Sequence, residues 1–102
     1  MAKAVVLYNP PTDPGAFDAY YASTHTPLAK TFPKLRALEV SKGPVMTPQG
    51  PAPYHLVAIL TFDTMADLQA AMASPEGKAI VADLGKFATG GATVLVYEHH
   101  SV

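Results

Sequence analysis

His25 is the first side chain of this sequence whose type and position suggest chemistry. It follows an aromatic segment, Phe17–Tyr21, and precedes Pro27 by two residues, at a point where a predicted helix must bend. An imidazole titrates near neutral pH and can act as a general base or acid, and helix ends beside a sheet often border pockets. We therefore interpret His25 as a candidate catalytic or ligand-contacting residue. The alternative is a structural role, in which His25 caps a helix end or orders the turn at Thr26.

Tyr20 and Tyr21 are the next candidates for catalysis. Neighbouring helical positions differ by about 100°, so one of the two side chains is expected to face the sheet. A phenol there could donate a hydrogen bond to an enolate or phenolate oxygen. The alternative is a core aromatic residue with its hydroxyl at the rim of the core.

The remaining histidines do not form a metal-binding pattern. His55 is expected at the start of a strand, on the face opposite Leu56, as a solvated strand-end residue. The adjacent His99 and His100 point to opposite faces of a strand and cannot readily bind one metal ion. A haem would need an axial histidine, which His25 could supply in principle, but no cofactor is expected.

Other reactive groups and charge patterns are scarce. Cysteine is absent, which excludes thiolate chemistry and disulfides and fits a cytoplasmic protein. The carboxylates, Asp83 among them, are expected mostly at helix starts or exposed turns, with no pair suggesting acid–base partnership. A formal net charge of −1 gives no reason to expect nucleic acid or an anionic membrane as a partner. The apolar run at the N-terminus stops at Asn9, too short for a signal peptide core or a membrane span.

Four strands and a bent helix are predicted to position these residues. A helix is expected from about Pro14 to Lys30, capped by Asp13 and kinked or restarted near Thr24–Thr26 because of Pro27. Its inward face is predicted to hold Phe17, Tyr20, Tyr21, Leu28 and Thr24. The predicted strands are Ala4–Tyr8, Lys34–Lys42, Tyr54–Phe62 and Ala92–Glu98.

A second helical stretch is predicted between the last two strands, interrupted at Ser74-Pro75. Thr64 caps its first part, Met65–Ala73, and Ser74 caps the second, Pro75–Phe87. The second part is expected to pack through Ile80, Ala79, Leu84 and Phe87. The proline-rich and glycine-rich stretch 43–53 is predicted to be a surface loop without regular structure.

The order β-α-β-β-α-β predicts an α+β fold of the ferredoxin-like kind, with helices on one face of a four-stranded antiparallel sheet and one domain over residues 1–102. Both faces of the predicted strands are apolar, and 49% of all residues are hydrophobic. A small monomer would expose one of these faces, so we expect a homodimer. The alternative is that the usual alternation of apolar and polar residues is obscured by chance in such short strands.

Four segments in this order resemble the EthD family. The first is aromatic and ends in His25-Thr26-Pro27-Leu28, and the second is a strand-to-helix junction. The third and fourth belong to the second helical stretch, and the likeness extends from about Val5 to Glu98. The segments are Phe17–Leu28, Leu60–Leu68, Ser74–Gly77 and Ala82–Gly91.

The resemblance implies a dimeric α+β barrel and leaves the activity open. The family is named for a protein encoded in an ether-degradation gene cluster, and wider relatives include isomerases, cyclases and small monooxygenases. We expect His25 to transfer protons in a cofactor-free isomerisation, cyclisation or oxidation of an apolar, oxygenated small molecule. The alternatives are a carrier of such a molecule for a partner oxygenase, or a haem-binding monooxygenase-like protein. The expected pocket lies between sheet and helices and is lined by Tyr20 or Tyr21 with Phe17, Phe62, Leu84 and Phe87.

Overall fold

A four-stranded antiparallel sheet is the frame of the molecule, in a computed structural model that describes residues 1–102. Its strands are β1 (Ala2–Tyr8), β2 (Ala37–Val40), β5 (Leu56–Phe62) and β6 (Ala92–Glu98), and the two short strands between β2 and β5 lie outside this sheet. The strand order is β2-β5-β1-β6, and every pair is antiparallel. This arrangement confirms the predicted α+β, ferredoxin-like fold.

The helical segments follow the predicted pattern, and their starts are fixed by side-chain caps. The N-caps Asp13, Thr64 and Ser74 each accept a hydrogen bond from the backbone N–H three residues later. None of the helices has the length and apolar character needed to cross a membrane. The segments are α1 (Pro14–Tyr20), a π-helical turn (Tyr21–His25), α2 (Thr26–Ala29), α3 (Met65–Ala73), α4 (Pro75–Asp83) and a 3₁₀ turn (Leu84–Lys86).

Two stretches differ from the prediction. β2 is shorter than the expected Lys34–Lys42. The stretch predicted to lack regular structure contains a two-stranded hairpin of β3 (Met46–Thr47) and β4 (Gly50–Pro51), so that prediction is wrong. Its turn closes because the hydroxyl of Thr47 donates to the carbonyl of Gly50 and Gly50 adopts a φ of 137°, which favours glycine.

The two faces of the sheet are both apolar, as predicted. Ala4 and Val6 of β1, and Ala58, Leu60 and Phe62 of β5, are buried beneath the helices. The register places a second apolar set on the helix-free face, where no element of the chain covers it. That second set comprises Val5, Leu7, Val57, Ile59, Leu95 and Tyr97, of which Leu95 is 49% exposed and Tyr97 43% exposed.

Candidate functional site

The π-helical turn directs His25 into the protein. Pro27 has no N–H and its ring would clash with the carbonyl four residues earlier, so a regular α-helix cannot run through it. The turn widens instead, and the N–H of Thr26 donates to the carbonyl of Tyr21, five residues back. Buried residues then recur at every fourth position. Thr24 was expected on the inward face, but it is exposed, so that prediction is wrong. The buried residues of this face are Phe17, Tyr21, His25 and Ala29.

Asp83, at the end of α4, is a candidate functional residue that the sequence did not predict. We expected it at an exposed position, but only 5% of its surface is exposed. Its Oδ2 lies 2.9 Å from Nδ1 of His25, and its Oδ1 accepts a 2.7 Å hydrogen bond from the hydroxyl of Tyr20. The helical spacing carried the signal, since Asp83 lies three residues after Ile80 and four before Phe87 on the apolar stripe. Ala79, which was expected on that stripe, is exposed.

The electrostatics of Asp83 determine which nitrogen of His25 is free. Burial opposes ionisation of Asp83, but hydrogen bonds from His25 and Tyr20 outweigh it and hold the pKa of this carboxyl below its ordinary value. The carboxylate is therefore ionised at neutral pH and can only accept hydrogen bonds. Nδ1 of His25 must therefore carry a hydrogen, and Nε2, which has no partner in the chain, is the acceptor whenever the ring is neutral.

His25 borders a small apolar cavity between the helices and the sheet. Sixteen residues line the cavity, and fifteen of them are hydrophobic; His25 is the other. The volume is about 50 Å³, and the exposed lining residues Val81 and Val94 place its opening between α4 and β6. Of the predicted site residues, the structure brings Tyr21, His25, Phe62 and Leu84 together around this space.

Three other predicted site residues, Phe17, Tyr20 and Phe87, lie behind the cavity wall. Phe87 packs its ring 4.6 Å from the ring of His25 and 5.3 Å from that of Tyr20. Phe17 packs at 5.1 Å from Phe87 and stacks on Tyr21 at 5.8 Å. These rings hold the imidazole and the tyrosines in place rather than facing the cavity.

The tyrosines near the cavity are hydrogen-bond donors and not bases. Burial raises the pKa of Tyr21 to about 12, against a lowering by its hydrogen bond with Tyr8, and burial also raises the pKa of Tyr8. The hydrogen bond to Asp83 raises the pKa of Tyr20. All three phenols are neutral at physiological pH, so Tyr21 can stabilise a developing oxyanion only by donating its hydrogen.

The other histidines lie away from the cavity. His55 contacts α1 rather than the helix-free face: its ring meets Phe17 edge-on at 4.8 Å and its Nε2 lies 2.7 Å from Oδ1 of Asp18. The expectation that His55 lies on the opposite face is therefore wrong, and its side chain is 22% exposed. His99 and His100 follow the end of β6. No group of three or more histidine, aspartate or glutamate side chains in the chain could hold a metal ion.

A haem does not fit the cavity. Pockets for drug-sized ligands measure roughly 300–1,000 Å³, whereas the space beside His25 is about 50 Å³. Nδ1 of His25 is occupied by Asp83, and the cavity that His25 lines is far smaller than a porphyrin.

Comparison with known families adds an independent observation. The model of the EthD domain matches residues 9–91, most of the chain. The chain belongs to the EthD family. A curated relative from Rhodococcus erythropolis, described as an uncharacterized 11.0 kDa protein in the thcB-thcC intergenic region, is 37% identical over all of this chain and 98% of its own length.

Solved structures share the fold of this EthD protein. An EthD family protein from Bacillus halodurans superposes with a TM-score of 0.88 at 37% identity, over 98% of this chain and 99% of that one. Two distant structures show the fold alone. SnoaB of Streptomyces nogalater, a cofactor-independent oxygenase, has a TM-score of 0.67 at 14% identity over 99% and 94% of the two chains. A dimeric ferredoxin-like protein of unknown function from Thermobifida fusca has a TM-score of 0.69 at 11% identity, over 94% of this chain and 88% of that one.

Proposed function

We propose that this EthD protein binds an apolar, oxygenated small molecule and transfers a proton to or from it through His25. One observation carries the proposal: Asp83 holds Nδ1 of His25 at 2.9 Å, and His25, whose Nε2 has no partner in the chain, is the one non-hydrophobic residue that lines the apolar cavity. A histidine oriented by a carboxylate is an effective general base, because the carboxylate fixes the tautomer and stabilises the imidazolium that forms.

The chemistry follows from the composition of the cavity wall. Nε2 of His25 removes a proton from a carbon or oxygen acid, and the hydroxyl of Tyr21 is available to the oxygen on which charge develops. The enolate or phenolate so formed is reprotonated elsewhere in an isomerisation or cyclisation. In a cofactor-free oxidation the same anion reacts with O₂, and the cofactor-independent oxygenase SnoaB shares this fold.

The size of the cavity limits what enters it. A volume of about 50 Å³ holds a few water molecules or a small part of an organic ligand. The reacting group therefore enters between Val81 and Val94, and the rest of the ligand lies at the opening. Both valines are exposed, which provides an apolar surface for that part.

The assembly that supports this site is proposed to be a homodimer. The helix-free face of the sheet carries apolar side chains in adjacent strands, and a second copy would bury them. A distant structure of the same fold is described as dimeric.

Hydrogen–deuterium exchange at carbon tests the proposed chemistry even while the full reaction is unidentified. Small cyclic ketones and phenols are incubated with the protein in deuterated water, and NMR follows deuterium incorporation. We expect exchange of at least one compound to depend on the protein and to be lost in His25→Ala. Exchange that is equal for the wild type and His25→Ala removes His25 from the mechanism.

The second candidate function is that of a carrier, favoured by the almost entirely hydrophobic wall of the cavity. Such a protein shelters an apolar molecule and hands it to a partner oxygenase. Native mass spectrometry of protein purified from its host would find a retained small molecule. A retained ligand with no protein-dependent exchange of any compound supports the carrier and contradicts the proton-transfer proposal.

A further inference from the structure

A second, larger concavity lies on the other side of Tyr21. It is an open groove of about 590 Å³, formed by α1, the π-helical turn and the segment that follows β2. This volume falls within the range of small-molecule sites, roughly 300–1,000 Å³, whereas the cavity beside His25 does not. Its wall contains Asp18, Ser41, Lys42, His55 and Leu56 in addition to Tyr21.

Hydrogen-bond donors without partners converge in this groove. The Oγ of Ser41 accepts from the backbone N–H of Val57 at 3.0 Å, and it makes no other side-chain hydrogen bond in the chain. The ammonium group of Lys42 makes no ion pair within the chain, and Lys42 is exposed. Gly43, at the edge of the groove, has open space where a side chain would stand.

The charges of the groove favour an anion. The only carboxylate on its wall, Asp18, contacts Nε2 of His55 at 2.7 Å, and the ring of His55 is held edge-on to Phe17. The carboxylate of Asp18 is thus already paired with His55, whereas Lys42, the only lysine on the wall, has no partner and is available to an anion. The ring of Tyr21 and the side chain of Leu56 supply an apolar floor beside these polar groups.

We propose that this groove is a separate binding site for a small organic anion with an apolar body. The charged group contacts Lys42 and the hydroxyl of Ser41, and the body lies on Tyr21 and Leu56. The site does not depend on catalysis by His25. Tyr21 contacts both spaces, which places the bound anion against the wall of the cavity.

Two fluorescent probes that differ by one charged group test this site. Anilinonaphthalene sulfonate is an aromatic anion, and phenylnaphthylamine is the same skeleton without the sulfonate. We expect Lys42→Gln to weaken binding of the sulfonate about fivefold, as for an exposed ion pair at low salt. Lys42→Glu should weaken it further, because it places a second carboxylate in the groove, and neither variant should change the affinity for phenylnaphthylamine.

Lys78→Gln is the matched control, since Lys78 is an exposed, unpaired lysine on α4 that does not line the groove. The sulfonate should also shift the backbone amide NMR signals of Tyr21, Lys42 and Gly43. Equal effects of Lys42→Gln and Lys78→Gln, or shifts confined to the helix-free face of the sheet, would overturn the proposal.

The same measurements separate this site from the proposed function. If Lys42→Gln fails to alter sulfonate binding while His25-dependent exchange persists, the groove proposal falls and proton transfer stands. If the sulfonate binds as expected and no compound exchanges, the groove stands without the catalytic role of His25.

Discussion

Asp83 connects His25 to Tyr20 by using one carboxylate oxygen for each. Oδ2 lies 2.9 Å from Nδ1 of His25, and Oδ1 is 2.7 Å from the Tyr20 hydroxyl. Two helical segments that lie 58 residues apart in sequence are thereby joined at a buried carboxylate. The arrangement fixes a hydrogen of His25 on Nδ1, the nitrogen that contacts Asp83. In the proposed mechanism Asp83 is a positioning residue, and its effect is testable apart from that of His25.

Asp83→Asn should impair proton transfer while leaving the volume of the side chain unchanged. The amide can donate to Nδ1, which moves the hydrogen of His25 onto Nε2 and leaves no base facing the cavity. We expect exchange rates to fall about 100-fold or more, the lower range for loss of a general base. Asp67→Asn, which alters a carboxylate paired with Lys34 at the surface, is the control. Retention of the full rate in Asp83→Asn would show that the tautomer of His25 does not matter.

The same carboxylate should contribute to stability in a pH-dependent manner. The folded-state pKa of Asp83 lies below the ordinary value of 3.8, so its contribution is fully present above that value. It is lost as the pH falls below 3.8 and through the lower folded-state pKa. The difference in unfolding free energy between the wild type and Asp83→Asn should therefore be largest near neutral pH and shrink under acid conditions. Urea unfolding at a series of pH values measures it, and a difference independent of pH would contradict the assigned ionisation.

The buried phenol of Tyr21 should limit stability at alkaline pH, as Asp83 does at acid pH. Burial raises the pKa of Tyr21 to about 12, whereas an unfolded tyrosine ionises near 10. This contribution is present below pH 10 and lost as the pH rises towards 12, a loss of about 3 kcal/mol for two pKa units. Phenylalanine does not ionise, so Tyr21→Phe should lose less unfolding free energy between pH 10 and pH 12 than the wild type does. The midpoint pH of its alkaline unfolding should therefore be higher than its stability at neutral pH alone would give. Circular dichroism follows the unfolding, and an unchanged midpoint would mean that Tyr21 ionises without cost.

Local signals in the sequence predicted the frame of the fold well. Caps such as Asp13 and Ser74 accept from the N–H three residues later, so both partners lie close together in the sequence and the cap can be recognised from it. The two apolar faces of β5 follow from alternation alone. The bend at Pro27 follows from its missing N–H, although the π-helical form of the bend does not.

The site itself depended on contacts between distant parts of the chain. Asp83 is a carboxylate on a helix, a position that is usually solvated, and its burial is tolerable only because His25 and Tyr20 hydrogen-bond to it. Its place on the stripe with Ile80 and Phe87 could have revealed it. The pairing of His55 with Asp18 had no such local signal, because it joins a strand end to a helix.

Gly77 should be intolerant of a side chain. A Cβ there would overlap the carbonyl oxygens of Ala71 and Met72, where α3 and α4 meet at the capping residue Ser74. We expect Gly77→Ala to lower the unfolding free energy by about 1–3 kcal/mol, as overpacking does. Gly85→Ala is the control, since a Cβ at Gly85 meets nothing within 4 Å. Denaturant unfolding compares them, and equal stabilities would show that the α3–α4 corner adjusts freely.

The proposed dimer makes the helix-free face of the sheet its interface, which a charge placed there should disrupt. Leu95→Glu alters a residue of that face that is 49% exposed in the free chain, so the monomer itself loses little burial. Each protomer would have to bury a carboxylate against apolar strands, which is strongly unfavourable without a partner charge. Val40→Glu is the matched control, because Val40 is 46% exposed and its register partner Ala58 lies on the helix side of the sheet. Sedimentation should show a dimer for the wild type and Val40→Glu and a monomer for Leu95→Glu; a wild-type protein that sediments as a monomer contradicts the dimer at once.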